Sequence, residues 1–294
     1  GLDKNARHLA AMATLGFAFL EAGTVTPLPQ PGNPKPRLFR LADERAIINR
    51  MGFNNEGLTA FTERVRRLRN SGANLPLIGL NIGKNAGTEI SEASSDYLNG
   101  LRGVYPLADY VSINISSPNT ASLRSLQQSN ELNAILELLA QEREKLVAEH
   151  GRRVPIVVKV APDLNDEQVS AIASALPAHG IDGVIATNTT VSRDGVKTSP
   201  FASQAGGLSG APVLEMSNRI IARLRAQLPP AYPIIGVGGI MQPEDAVAKL
   251  KAGADLVQIY SGLIFAGPPL VGQCAAALKD YVERNTPGDA ATLL

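Results

Sequence analysis

Apolar residues along this chain come in short, unbroken runs separated by stretches of helical period. The runs cover residues 17–25, 77–82, 110–115, 155–160, 183–187, 233–237 and 256–260. Bounded by Gly, Pro and Asn and rich in Val and Ile, they read as strands buried on both faces. Between them, Leu58, Phe61, Val65 and Leu68 share one helical face, and Leu132, Ile135, Leu136 and Leu139 share another. Asn165 followed by Gln168 resembles a capping box at a helix start. Pro243 stands where a first helical turn begins, and Gly253 where that helix would stop. Such alternation predicts a parallel sheet covered by helices. Seven strands are legible, and the opening Gly1-Leu2-Asp3-Lys4 reads as the tail of an eighth. Eight parallel strands would close into a (β/α)8 barrel. An open doubly wound sheet is the competing fold. Against it, no Gly-x-Gly-x-x-Gly follows the first strand, and polar clusters end nearly every strand rather than one crossover. The expectation is one α/β domain over residues 1–294, a (β/α)8 barrel truncated at its N-terminus. The connections at 27–51 and 192–212 are too long for routine turns and are expected to carry function.

Composition narrows the function classes. Hydrophobic residues are 44% and charged residues 19% of the 294, a balance able to bury a large core. The net charge is +1, with six Tyr, seven Phe and no Trp, which leaves no footprint for nucleic acid. The basic stretch from Arg64 to Arg69 reads as a solvated helix face. A single cysteine, Cys274, excludes an internal disulfide and fits a reducing compartment. His8, His150 and His179 are far apart, without metal-ligand spacing, so no metal is expected. No apolar stretch is long enough to cross a bilayer.

In a barrel the chemistry lies at the carboxyl ends of the strands. Reading those ends begins with Lys4, Gly23-Thr24 and Asn81. Asn114-Ile115-Ser116-Ser117-Pro118-Asn119-Thr120 and Lys159 come next, then the cluster Ala186-Thr187-Asn188-Thr189-Thr190. Gly236 to Gly239 and Tyr260-Ser261-Gly262 close the series. Hydroxyls and amides of this kind can hold a planar, amide-bearing ligand and leave one hydroxyl to act on a C–H bond. They are also ordinary turn formers. The two glycine loops stand after strands seven and eight, where barrels commonly bind phosphate through backbone N–H groups. Residues 206–210 add a third glycine-rich stretch. Almost no carboxylate is expected to face inward, apart from Asp3 beside Lys4. Lys159 interrupts the run Ile156-Val157-Val158-Lys159-Val160. A lysine there needs an anion or loses its proton. It either snorkels from the barrel end or stands beside a cofactor that becomes negative on reduction, as a flavin does.

The motifs together resemble dihydroorotate dehydrogenase. They are Gly-Leu-Asp-Lys at the start, Glu21-Ala-Gly-Thr-Val-Thr-Pro27, Pro36-Arg-Leu-Phe-Arg40, Asn49-Arg-Met-Gly-Phe-Asn-Asn55 and Asn81-Ile-Gly-Lys-Asn85. The Ser117 heptapeptide, Val158-Lys-Val-Ala-Pro-Asp163, the Ala186 cluster, residues 206–210 and 236–240, and Gln258-Ile-Tyr-Ser-Gly262 complete the pattern in order. The resemblance implies FMN-dependent oxidation of (S)-dihydroorotate to orotate in pyrimidine synthesis. Serine at the base position implies the quinone-dependent class 2, peripheral on the cytoplasmic face of a bacterial-type cell membrane. It further implies Ser117 as base, helped by Thr120 and a water beside Phe53. Lys4, Asn49, Arg50, Met51, Gly52, Phe53, Asn114, Asn119, Asn188 and Thr189 would hold substrate. Gly1, Leu2, Asp3, Lys4, Thr24, Asn81, Asn114, Lys159, Thr187, Gly210, Gly239, Tyr260 and Ser261 would hold FMN. The segment after Asn119 would be a lid. In that family an N-terminal segment docks on the membrane and forms the quinone tunnel, and a first strand precedes the Gly1 position. Both are expected to be absent here, leaving a soluble fragment. A flavin oxidoreductase acting on another pyrimidine, such as dihydrouridine, would share the barrel, though the RNA case wants a more basic surface. A non-catalytic descendant would not need Ser117, Lys159 and the asparagines intact.

Overall fold

The computed structural model describes residues 2–120 and 122–285. Its strands are β1 (Phe19–Val25), β2 (Leu38–Leu41), β3 (Ala46–Asn49), β4 (Leu77–Ile82), β5 (Tyr110–Asn114), β6 (Ile156–Val160), β7 (Gly183–Ala186), β8 (Gly207–Gly210), β9 (Ile234–Val237) and β10 (Leu256–Gln258). The helices are α1 (Leu9–Ala13), α2 (Leu58–Arg69), α3 (Ala93–Val104), α4 (Ser129–His150), α5 (Asp166–Ala178), α6 (Leu214–Arg225), α7 (Pro243–Lys251), α8 (Ser261–Ala266) and α9 (Pro269–Asn285). Seven strands form a parallel sheet in the order β1-β4-β5-β6-β7-β9-β10.

Period two along these strands sorts the core into two. Ile156, Val158 and Val160 face outward to the helices, within the cluster that also holds Ile172 of α5 and Leu139 of α4. Val157, Ile185, Ile235 and Val237 face inward and pack with Phe19 and Tyr110 as a plug. The sheet is curled, because side chains of its first and last strands meet inside it. Gln258 of β10 donates to Glu21 of β1 at 3.1 Å. This is the wall of a (β/α)8 barrel. Among the described residues β1 and β10 are not paired with each other. The opening segment runs beside β1 instead, where the Asp3 carbonyl accepts the Gly23 N–H at 3.0 Å.

The expected helix starts are present. Asn165 and Gln168 form the reciprocal capping box, at 2.8 and 3.0 Å, which contributes about 1 kcal/mol to α5. Pro243 is the first residue of α7, and Gly253 follows its end at φ +108°. The long connections are not loops throughout. They fold into an antiparallel sheet, β2-β3-β8, with Ile48 opposite Leu208. Leu41, Ala46, Ile48, Val196 and Leu208 form its own small core. A bridge from Thr190 to Leu208 and a 2.8 Å hydrogen bond from Ser261 Oγ to Ser209 Oγ fasten this sheet over the carboxyl ends of the barrel strands.

Candidate active site

A cavity of about 550 Å³ opens at that end of the barrel, within the range typical of small-molecule sites. Leu2, Lys159, Thr187, Asn188, Thr189, Gly210, Gly239, Tyr260 and Ser261 of the expected residues line it, together with Glu21, Ser209 and Gly238. Its other arm is apolar, between β1, β10 and the Cys274–Leu278 side of α9. Gly1 lies outside the described residues.

The glycines are where backbone must approach closely. Gly239 has φ +81°, and a Cβ there would stand 2.5 Å from backbone and side-chain atoms of Leu214, the first residue of α6. Gly210 has φ +103°, and a Cβ would strike the Arg45 carbonyl. Glycine is thus required for these turns to pack against Leu214 and Arg45, and that packing holds their backbone in the cavity wall. Thr187 Oγ1 and Thr189 Oγ1 are buried and have no hydrogen-bond partner. Buried hydroxyls are seldom left so, and these two belong to residues of the cavity wall. Orphaned hydroxyls, a glycine cradle and the Lys159 ammonium fit a flavin carrying a phosphate.

Beside the cavity a buried chain of hydrogen bonds crosses three strands. Asn114 Nδ2 donates to Thr24 Oγ1 at 2.9 Å, and Thr24 Oγ1 donates to Asn81 Oδ1 at 2.6 Å. Asn81 Nδ2 donates to Glu21 Oε1 at 2.9 Å and to Ser112 Oγ at 3.0 Å. Inward-facing Glu21 corrects the sequence expectation. The barrel interior does hold a carboxylate, whereas Asp3 turns its own to the N–H groups of Arg7 and His8, at 2.9 and 2.7 Å. Glu21 also accepts from Tyr110 at 3.2 Å and lies 3.6 Å from Lys159 Nζ. Burial alone would raise its pKa. The Lys159 cation and the bonds from Gln258 and Asn81 outweigh that and hold it below the usual carboxylate value.

Ser117 does not line the cavity. It is reached through Asn188, whose Nδ2 donates to Ser116 Oγ at 3.1 Å and to Asn114 Oδ1 at 3.3 Å. Ser117 Oγ accepts the Asn119 N–H at 3.2 Å. Asn119 Nδ2 donates to Asn49 Oδ1 at 3.2 Å, joining this loop to the 49–53 segment. Thr120 Oγ1 is buried without a partner. Phe53 is buried at φ +51°, and Gly52 has φ +69°. Met51 accepts the Asn33 N–H through its carbonyl. Arg50 is drawn away from the cluster: its guanidinium bonds Gln204 at 3.0 Å and stands over the Phe39 ring. Lys4 donates to Asn54 Oδ1 at 2.8 Å. Burial, aided by the like charge of Arg37, brings its pKa down to about 8.

Sequence reasoning passed over Glu21, Asn54 and Arg124. Arg124 bonds the Ser116 carbonyl at 3.1 Å, the Thr189 carbonyl at 2.7 Å and Asp163 at 2.8 Å, tying the two polar clusters together. The signal for Glu21 was the one used for Lys159, a lone charge inside an apolar strand. Arg124 had none, because two of its three partners are backbone carbonyls, which no residue type announces.

The family profile described as Dihydroorotate dehydrogenase matches residues 1–282. The dihydroorotate dehydrogenase (quinone) of Delftia acidovorans is 61% identical over 279 residues, spanning 95% of this chain and 80% of that protein. The protein of the same name from Bordetella pertussis is 58% identical over 280 residues, covering 95% of this chain and 79% of its own length. A crystal structure of DHODH from Eimeria tenella in complex with ferulenol superposes with a TM-score of 0.90 at 37% identity, over 97% of this chain and 80% of that one.

Proposed function

The chain belongs to the dihydroorotate dehydrogenase family, and on that premise we propose that it oxidises (S)-dihydroorotate to orotate and passes the electrons to a quinone, with FMN as its flavin. The observation that carries this reading is a connected path. It runs from the Ser117 loop through Asn188 to a cavity walled by Lys159, Thr187 and the Gly239 turn. Lys159, Thr187 and the Gly239 turn would hold a flavin there, which would supply hydride acceptance and electron delivery to the quinone.

The residues divide the remaining work. Gly210, Gly239 and Ser261 offer a phosphate backbone N–H groups or a hydroxyl, and Thr187 Oγ1 gains the partner it lacks. Thr24, Asn81 and Asn114 form a buried polar layer beside the cavity that would help hold the flavin. Lys159 places positive charge where reduction adds negative charge. Leu2 and Tyr260, in the cavity wall, would border the flavin, and Asp3 would act through its backbone, whose carbonyl holds the Gly23 N–H. Asn114, Asn119, Asn188 and Thr189 pair with the amide edges of the pyrimidine, and the Lys4 ammonium with its carboxylate. The Asn49–Phe53 segment shapes that end, Met51, Gly52 and Phe53 by contact, with Arg50 turned outward.

Ser117 takes the proton from C5. A neutral hydroxyl is a weak base, so position and an exit for its own proton must compensate. The Asn119 N–H holds one side of Oγ, leaving the other side for the substrate C–H. Thr120 Oγ1, buried and unpartnered, receives the displaced proton and hands it to water beside Phe53. Contact with the membrane, where the quinone resides, completes the proposal.

The test uses the purified protein and its visible spectrum. Bound flavin should bleach on adding dihydroorotate and recover with decylubiquinone, but not with fumarate or NAD⁺. Flavin that dihydroorotate leaves oxidised would overturn the reading.

A further inference from the structure

Among the described residues Glu21 is the one carboxylate in the cavity wall paired with Lys159, and nothing in the reaction above employs it. Its surroundings are built rather than incidental. Donors reach it from four other strands of the barrel: Asn81 from β4 at 2.9 Å, Tyr110 from β5 at 3.2 Å, Lys159 from β6 at 3.6 Å and Gln258 from β10 at 3.1 Å. The Glu21 side chain is 12% exposed and that of Lys159 17%. So many neutral donors fix the carboxylate in place and keep it ionised. A pair this sheltered from water interacts far more strongly than one on the surface.

We infer that Glu21 is a positioning residue that sets how much of the Lys159 charge is available to a ligand in the cavity. The inference rests on the flavin reading and deepens it. Lys159 alone would favour any ligand that gains negative charge. With Glu21 3.6 Å away, much of that positive potential is already compensated, so an electron-rich ring must compete with a built-in anion for the same ammonium. Glu21 therefore weakens the hold on the reduced ring and keeps the electron pair easy to pass on. The three neutral donors matter because they prevent the carboxylate from swinging away when the cavity fills.

Sulfite provides a readout independent of turnover. It adds to an oxidised flavin ring by forming one S–N bond from its sulfur lone pair; no atom leaves, and the ring carries the added negative charge. In Glu21→Gln the side-chain shape and several hydrogen bonds persist while the charge is gone. The sulfite dissociation constant of the holoenzyme should fall at least tenfold. The two-electron potential should rise by about 30 mV for each tenfold change in the corresponding equilibrium. Tyr110→Phe removes a hydrogen bond and no charge, so its sulfite affinity should stay within threefold of wild type. Should Glu21→Gln not fold, Glu21→Asp decides, since it keeps the charge but draws it one methylene back from Lys159; sulfite should then bind severalfold tighter. Two results overturn the inference: sulfite affinity and potential unchanged within threefold in flavin-loaded Glu21→Gln (or in Glu21→Asp where it stands in), or an equal shift in Tyr110→Phe. A wild-type protein whose flavin ignores dihydroorotate would sink the functional reading instead, a separate outcome.

Discussion

Gly239→Ala should release the flavin while leaving the barrel folded, and its size can be worked from the turn. The new methyl would lie 2.5 Å from Leu214, where ordinary contact begins at 3.4 Å. The loop and the first turn of α6 must therefore separate by most of an ångström. A non-glycine residue at φ +81° also costs roughly 1–2 kcal/mol. A backbone N–H about 2.9 Å from a phosphate oxygen, moved by that much, no longer makes a hydrogen bond. Each bond of this kind to a charged group contributes about 1.5–3 kcal/mol, so losing one weakens FMN roughly ten- to a hundredfold. Gly272→Ala is the control, because a methyl there meets nothing within 4 Å. The assay is fluorescence titration of apoprotein with FMN, paired with a thermal melt of each apoprotein. FMN affinity within twofold of wild type in Gly239→Ala would refute the cradle.

Two further outcomes follow from lysines withdrawn from water, Lys4 in part and Lys249 fully. Lys4 titrates at about 8, so kcat/KM for the anionic substrate should fall tenfold per pH unit above that point, as the cation is lost. Lys4→Met should be slow at every pH, and a wild-type profile flat to pH 9.5 would remove Lys4 from the substrate carboxylate. Lys249, fully buried and bonded to Asn218 at 2.9 Å, is pushed by burial to about 7 despite the nearby Asp245 and Glu215. Its folded pKa is below the unfolded value of 10.5, so its penalty is complete below pH 7 and fades as pH rises to 10.5. Urea melts should show wild-type stability rising from pH 7 to 10 more steeply than that of Lys249→Met; parallel curves would contradict this.

The barrel was legible because its information is local. Runs such as Leu77–Ile82 coincide with an observed strand to the residue, and the Asn165 and Pro243 helix starts need only neighbouring residues. The β2-β3-β8 sheet was not legible. It joins Ile48 to Leu208, which the four barrel strands β4 to β7 separate in sequence, and Gly207-Leu-Ser-Gly210 carries almost no strand propensity. Strand-end motifs named the polar side of the cavity, from Lys159 and Thr187 to Tyr260 and Ser261, since a barrel collects those ends by topology; the apolar arm against α9 they did not name. The direction of one side chain was harder to read. Glu21 lies among Ala22 and Gly23, where small residues blur the alternation that separates inside from outside. Ser117 stands behind Asn188 rather than in the cavity wall, a matter of loop packing that no spacing encodes.

The role of Ser117 is tested most directly by mixing oxidised enzyme with dihydroorotate in a stopped-flow spectrometer and following the loss of flavin absorbance. Ser117→Ala should retain flavin and substrate affinity yet reduce at least a hundredfold more slowly, within the range for a missing general base. Reduction at the wild-type rate in flavin-loaded Ser117→Ala would contradict the account.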